Sequence, residues 1–375
     1  MNDEKLIPKL RFSGFTDEWI IKKLNDVSDV NPKTRELPEK FIYIDLDSVN
    51  HGILTKFNQI NKNDAPSRAQ RCLDVNDILF QTVRPYQMNN LFFELYDGEY
   101  VASTGYAQIK SKIVPRFLYY YLHYNKFVNE VLNRCTGTSY PAINSNDLKK
   151  IKIKIPSSSN EQKLIGDLFY KLDQKIELLK DKYHYYQDFK KFLMHQIFAQ
   201  KLRFDFSDDW KQYKIKELLS VKSSNISINQ LEDNTGEYPL YGASGFLKNI
   251  DFCEMGTDYI SIVKDGSGVG NLSYHEGNSS IVNTSQYLLP KKNFNIHFLY
   301  YYLQTLNLKK YINGSSIPHI YFKDYCIEKV KVPSLSEQNR IGRLFLDIDK
   351  TLENLNKNIE LSNEFKKGLL QQMFI

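Results

Sequence analysis

Five side chains able to read the edges of base pairs crowd into the nine residues TVRPYQMNN at 82–90: Arg84, Tyr86, Gln87, Asn89 and Asn90. An arginine fork matches the acceptor pair of guanine, and a glutamine or asparagine amide matches adenine, each through two hydrogen bonds in the major groove. The segment VKDGSGVGN at 263–271 offers different chemistry. Lys264 is suited to a phosphate, while Gly266, Gly268 and Gly270 let backbone approach a ligand closely. An ordinary surface turn is the alternative reading of both segments. Two hydroxyl-rich stretches, Thr138-Ser139-Tyr140 and Ser315-Ser316, suit phosphate contacts through hydroxyls and backbone amides. Capping of the element that follows is the alternative there.

Other chemistries find little support. No glycine is followed by lysine, so a Walker-A phosphate loop is missing. No Asn/Asp-Pro-Pro-aromatic tetrapeptide of adenine methyltransferases occurs, and a lone glycine-rich GSGVG is weak evidence for a cofactor cradle. The four cysteines are isolated and the seven histidines lack metal-ligand spacing. The 50 Lys and Arg against 44 Asp and Glu permit a polyanion partner without requiring one. No segment of signal-peptide or membrane-span kind is visible, so a reduced cytoplasmic location is expected, with no membrane partner.

These loops sit in a chain that is written twice. LRF at 10–12 precedes FTDEW at 15–19, and LRF at 202–204 precedes FSDDW at 206–210. The only two tryptophans, Trp19 and Trp210, therefore hold matching places. FLYYYL recurs unchanged at 117–122 and 298–303, and FKKFLMHQIF at 189–198 matches FKKGLLQQMF at 365–374. Preserved order across four landmarks means tandem duplication.

Each copy opens with short apolar, strand-like runs punctuated by Gly, Asn, Asp and Ser, such as DILFQTV at 77–83 and DYISIV at 258–263. The helical spacing within FLYYYL assigns its aromatics to a core rather than a stacking platform. The lysine run at 149–154 reads as a solvated strand face, with phosphate contact as the lesser alternative. Each copy closes with one long helix, whose opening carries a capping-box pattern, Ser158 to Glu161 and Ser334 to Glu337.

Along the first helix, apolar residues recur at spacings of four and three: Ile165, Phe169, Leu172, Ile176, Leu179, Tyr183, Tyr186, Phe189, Leu193, Ile197. The partner series runs Ile341, Phe345, Ile348, Leu352, Leu355, Ile359, Ser362, Phe365, Leu369, Met373. Stripes this long are coiled-coil seams. Pairing them with each other antiparallel is the most economical burial and places the two heads at opposite ends of a rod of roughly 57 Å. The expected fold is thus α+β, with two similar globular target-recognition domains, an antiparallel coiled coil and a pseudo-twofold repeat. The expected boundaries are 1–157, 158–199, 200–333 and 334–375. On this reading the helices are a ruler, and seven residues added to the first helix lengthen the spacing between the half-sites on DNA.

Domain, long helix, domain, long helix resembles the specificity subunit of type I restriction–modification systems. The resemblance rests on YPLYGASG at 238–245, ISIVKDGSGVGN at 260–271, and the helix openings SNEQKLIGDLFYKLDQK at 159–175 and SEQNRIGRLFLDIDK at 336–350. It implies that each head reads one half of an asymmetric bipartite duplex DNA site, and it adds Tyr241, Ser244 and Ser267 to the DNA-facing residues. It further implies that the helices dock two modification subunits, which use S-adenosylmethionine to methylate adenine. Restriction subunits join these with ATP and Mg²⁺, and this chain itself holds no cofactor and catalyses nothing. Two rivals stand beside this reading: a stand-alone DNA-acting nuclease, and a coiled-coil scaffold whose heads bind proteins.

Overall fold

A computed structural model describes residues 5–228, 231 and 236–375. The chain forms two compact units, Met1–Leu179 with Asn358–Ile375, and Lys180–Lys357.

In the first unit a four-stranded antiparallel sheet runs in the order Ser28–Val30, Tyr106–Ser111, Ile78–Gln81, Leu91–Phe92. The second unit repeats that order with Leu219–Ser223, Ser285–Pro290, Tyr259–Val263 and Leu272–His275. Ile78–Gln81 and Tyr259–Val263 are buried along their whole length, which is why both read as mostly apolar runs, broken only by the buried Gln81 and Ser261, rather than as alternating ones. Each unit adds a second sheet with one parallel pair, Lys40–Ile44 beside Tyr100–Ser103 and Tyr238–Gly242 beside Ser280–Ile281. A two-stranded ribbon joins the first and last strands of each head: Ile20–Lys23 with Lys152–Ile155, and Lys211–Lys214 with Lys329–Val332.

The repeated FLYYYL lies on a helix in both units and fills the core. All six residues at 117–122 are buried, as are Phe298, Leu299, Tyr301 and Leu303. Buried tyrosines need a partner for the hydroxyl. Tyr120 donates to Asp173 at 2.8 Å and Tyr301 to Asp349 at 2.6 Å, both carboxylates standing on the long helices.

Those helices are Ser159–Phe198 and Leu335–Met373, 40 and 39 residues long. In the first unit Asp173 pairs with Lys366, and Phe169 stacks on Phe374 at 5.7 Å. In the second unit Lys190 pairs with Asp349, and Phe198 stacks on Phe345 at 5.8 Å. Numbers rise on one helix as they fall on the other, so the pairing within each unit is antiparallel.

The seam departs from the heptad expectation at one position per copy. Phe189 and Phe365 are 36% and 58% exposed, while Lys190 and Lys366 turn inward to the aspartates. A partly buried aspartate without its counter-charge is costly. The charge pair therefore takes the seam, and the neighbouring phenylalanine is left outside.

The capping boxes are also not closed. Ser158 Oγ accepts from the Glu161 N–H at 3.4 Å, but the Glu161 carboxylate turns to Arg11 at 2.7 and 2.8 Å and to the Trp19 indole. Glu337 does the same with Arg203 and Trp210. Both carboxylates are buried, and an arginine fork plus an indole N–H neutralise them better than one backbone amide can. The following glutamines finish the attachment. Gln162 accepts from the Val114 N–H and donates to the Pro156 carbonyl, and Gln338 does so with Asn295 and Pro333. A Glu-Gln dipeptide thus keys each helix to its own head.

Candidate nucleic-acid interface

In the first head the two candidate segments, fifty residues apart in sequence, are laced together. Val83 bridges Ala142, which also bridges Thr136, and the Arg84 N–H donates to the Pro141 carbonyl at 2.7 Å. The Arg84 guanidinium lies 4.4 Å from the centre of the Tyr140 ring. Arg84 adopts a left-handed backbone conformation, φ 53°, strained for a side chain this large. Gly137, with φ 88°, turns the second segment so tightly that a Cβ there would stand 3.2 Å from the Tyr140 carbonyl oxygen. Thr138, Ser139 and Tyr140 are all exposed beside it.

A buried glutamine that the sequence did not single out holds the first segment in shape. Gln81 Nε2 donates to the Val83 carbonyl and to Gln87 Oε1, each at 2.8 Å, and its Oε1 accepts from the Asn89 N–H at 3.1 Å. Gln87 keeps its amide donors free of that contact and is exposed, as is Tyr86. The Asn89 Oδ1 accepts from the His51 N–H at 3.1 Å. Asn90 is different. It is 1% exposed; its Oδ1 accepts from the Gln81 N–H at 2.8 Å and its amide lies 3.3 Å from His123 Nε2. Here Asn90 shapes the loop from within rather than facing outward.

Arg84, Gln87, Asn89 and Tyr140 line a cleft of about 890 Å³ together with Lys56, Arg68, Asp45 and Asp47. The last four come from strand ends and turns with no local motif, so no sequence signal marks them. The cleft mixes hydrogen-bond donors, acceptors and the three cations Lys56, Arg68 and Arg84, which is the chemistry of a base-edge reader with phosphate contacts at its margin.

His123 anchors the loop's floor. Its Nδ1 donates to the Tyr119 carbonyl at 2.8 Å, leaving Nε2 to accept from Asn90. Burial, reinforced by Lys366, pushes its pKa down to about 4. In the second head burial alone does the same to His275, whose Nε2 lies 2.8 Å from Ser261 Oγ. Both pKa values lie below the unfolded value near 6.5, so the unfolded chain takes up these protons first. Stability is full above about pH 6.5 and falls as pH drops toward 4, by about 3 kcal/mol per histidine. Melting temperatures measured across that window should show the decline, and His123→Gln should flatten it by about half.

The second head repeats the lacing with other side chains. His319 bridges both Asp265 and Asn313, and the Gly266 N–H donates to the Pro318 carbonyl at 2.9 Å. Gly266, φ 83°, stands where the first head has Arg84, so the same left-handed turn is made there without strain. Ser267, Gly268, Ser315 and Ser316 are exposed at the rim. Lys264 is mostly covered, its ammonium 3.5 Å from Asp265 and its N–H donating to the Thr284 carbonyl. Tyr241 is half-buried with its ring 4.4 Å from that of His275, and Ser244 is exposed in the hairpin turn that follows. The segment Val282–Thr284 connects this hairpin to the glycine loop, since Val282 donates to Tyr241 and Thr284 accepts from Lys264.

No helix among the described residues is long and apolar enough to cross a membrane. A protein described as a type I specificity subunit of Mycoplasma genitalium is 26% identical over 282 residues, covering 69% of this chain and 70% of that protein. The specificity subunit of the type I restriction enzyme MjaVIII of Methanocaldococcus jannaschii is 28% identical over 182 residues, 44% of this chain and 42% of its own. Among solved structures, the S subunit of a type I restriction–modification system from M. genitalium shares the fold, with a TM-score of 0.68 over 98% of this chain and 99% of that one at 20% identity. The family model for the type I restriction modification DNA specificity domain matches twice, at residues 16–184 and 207–363. With most of the chain matched in two copies, the chain belongs to the type I restriction–modification DNA specificity family.

Proposed function

We propose that each head reads one half of an asymmetric, bipartite duplex DNA site through its pair of laced loops. The observation that carries this reading is the lacing itself. Val83–Ala142–Thr136 and Asp265–His319–Asn313 build the same platform in both heads, yet the side chains mounted on it differ. One scaffold with two surfaces suits two different half-sites. The residues proposed to meet DNA are Arg84, Tyr86, Gln87, Asn89, Thr138, Ser139 and Tyr140 in the first head. In the second they are Tyr241, Ser244, Gly266, Ser267, Gly268, Ser315 and Ser316. Lys264 and Asn90 support these surfaces from beneath.

The role of a specificity subunit is DNA sequence recognition, which is non-catalytic, and a stand-alone nuclease is not favoured. The chemistry is proposed to reside in partners: two modification subunits using S-adenosylmethionine, and restriction subunits using ATP and Mg²⁺, in the cytoplasm. The long helices offer matching outer faces for the modification subunits. Tyr185, Phe189 and Phe192 are exposed on the first, and Leu361 and Phe365 on the second, where Tyr185 and Phe189 correspond to Leu361 and Phe365. Exposed apolar faces of this kind mark protein contacts.

The test is methyl transfer to duplex DNA by the purified chain, with and without its modification partner. Transfer should appear only with the partner and should map to a two-part target. Robust transfer by the isolated chain, or a target with one uninterrupted part, would overturn the reading.

A further inference from the structure

We infer that the first head carries a second DNA contact, a phosphate-binding surface on the ribbon Ile20–Lys23 with Lys152–Ile155, apart from the laced loops. The inference rests on the DNA-reading function proposed above. In the ribbon, side chains alternate between faces. Ile153 and Ile155 point into the core, which leaves Ile21, Lys23, Lys152 and Lys154 on the other face. The register sets Lys23 directly opposite Lys152, and a like-charge pair across two strands is destabilising on its own. The second head repeats this arrangement, with Lys214 opposite Lys329 and Lys331 beside them.

In the first head the charge is gathered into a concavity. Lys126, Arg134, Lys150, Lys152 and Lys154 line a cleft of about 670 Å³, whose one acidic wall residue, Glu130, is 3.3 Å from Arg134. Lys150 lies 3.5 Å from Asp147 of the preceding helix turn, whereas Lys152 and Lys154 have no ion pair among the described residues. In the second head the matching surface is muted, because Glu328 binds Lys310 at 2.8 Å and also the Tyr311 hydroxyl.

The ligand is identified by charge and position. A surface of clustered cations that outnumber the two acids paired with them, Glu130 and Asp147, selects a polyanion, and lysine meets phosphate as a point charge without reading bases. From Ala142 in the laced platform to Lys150 the chain runs through the helix Ser145–Lys149. Five helical and three extended residues reach at most about 18 Å. That is well inside one turn of duplex DNA, about 34 Å. A duplex of more than one turn seated on the Arg84–Tyr140 platform is therefore long enough to span from the platform to the ribbon.

The experiment uses the chain in complex with its modification partner. Binding of two duplexes, one carrying the mapped target and one lacking it, is measured over a salt series. The variant Lys150→Gln, Lys152→Gln, Lys154→Gln should weaken both duplexes alike, by about ten- to a hundredfold, and lower the salt slope by about two to three. The pair Lys329→Gln, Lys331→Gln in the second head should have a smaller effect. An unchanged slope in the triple variant overturns the inference. So does a loss confined to the target duplex, or a loss of the modification partner, which would make the ribbon a protein-docking face. If the unsubstituted complex cannot tell the two duplexes apart, the half-site reading fails, while the uniform loss still decides the ribbon.

Discussion

Inserting one heptad into each long helix, between Leu179 and Tyr183 and between Leu355 and Ile359, is expected to give an active complex whose two half-sites are unchanged. The non-specific spacer between them should lengthen by up to about three base pairs. Each unit fastens the two helices by one charge pair, Asp173–Lys366 in the first and Lys190–Asp349 in the second. The stretch from Asp173 to Lys190 and that from Asp349 to Lys366 have the same length, so both helices must grow together. Seven residues add about 10 Å at 1.5 Å per residue, or about three base pairs at 3.4 Å, and they keep the apolar stripe in phase. An insertion in the first helix alone, which the sequence by itself suggests is sufficient, should instead break one of the two fastenings. It would leave a part-buried aspartate facing the wrong residue, at a cost between the ~1 kcal/mol of an exposed pair and the ~3–5 kcal/mol of a fully buried one. Mapping methylated sites for the single and double insertions separates these outcomes. An unchanged spacer in an active double variant would mean the helices do not set the distance.

The large-scale plan was legible because it was written twice. Trp19 and Trp210, the two FLYYYL segments and the two helix endings align without any knowledge of structure, and a duplication with long apolar stripes leaves few ways to fold. The assignment of FLYYYL to the core followed from spacing alone. Finer features failed where a distant residue outbid a local rule. The Ser158–Glu161 and Ser334–Glu337 patterns fit a capping box, but Arg11 and Trp19, or Arg203 and Trp210, claim the carboxylates from far along the chain. A hydrophobicity count placed Phe189 and Phe365 in the seam because it gave no weight to the lysine beside each, whose aspartate partner sits on the other helix. At the candidate site the sequence found the two loops of each head but not that they touch. The Val83–Ala142 and Asp265–His319 bridges depend on tertiary closure, and no local pattern announces them. Nor does residue type distinguish Asn89 at the rim from Asn90 beneath it. Only the positions of Gln81 and His123 do that.

The central claim is that two heads built on one scaffold read separate half-sites through their laced loops. Exchanging residues 83–90 and 136–142 of the first head for the matching loops of a relative with a different target tests it most directly. The exchange leaves untouched Gln81, His123, the Glu161 attachment with Arg11 and Trp19, and every residue of the second head. Sites methylated by the exchanged chain with its modification partner are then compared with those of the unaltered chain. One half-site should take on the relative's sequence, while the other half-site and the spacer between them stay as they were. A change in both half-sites, or an active complex whose two half-sites are both unaltered, would contradict the account.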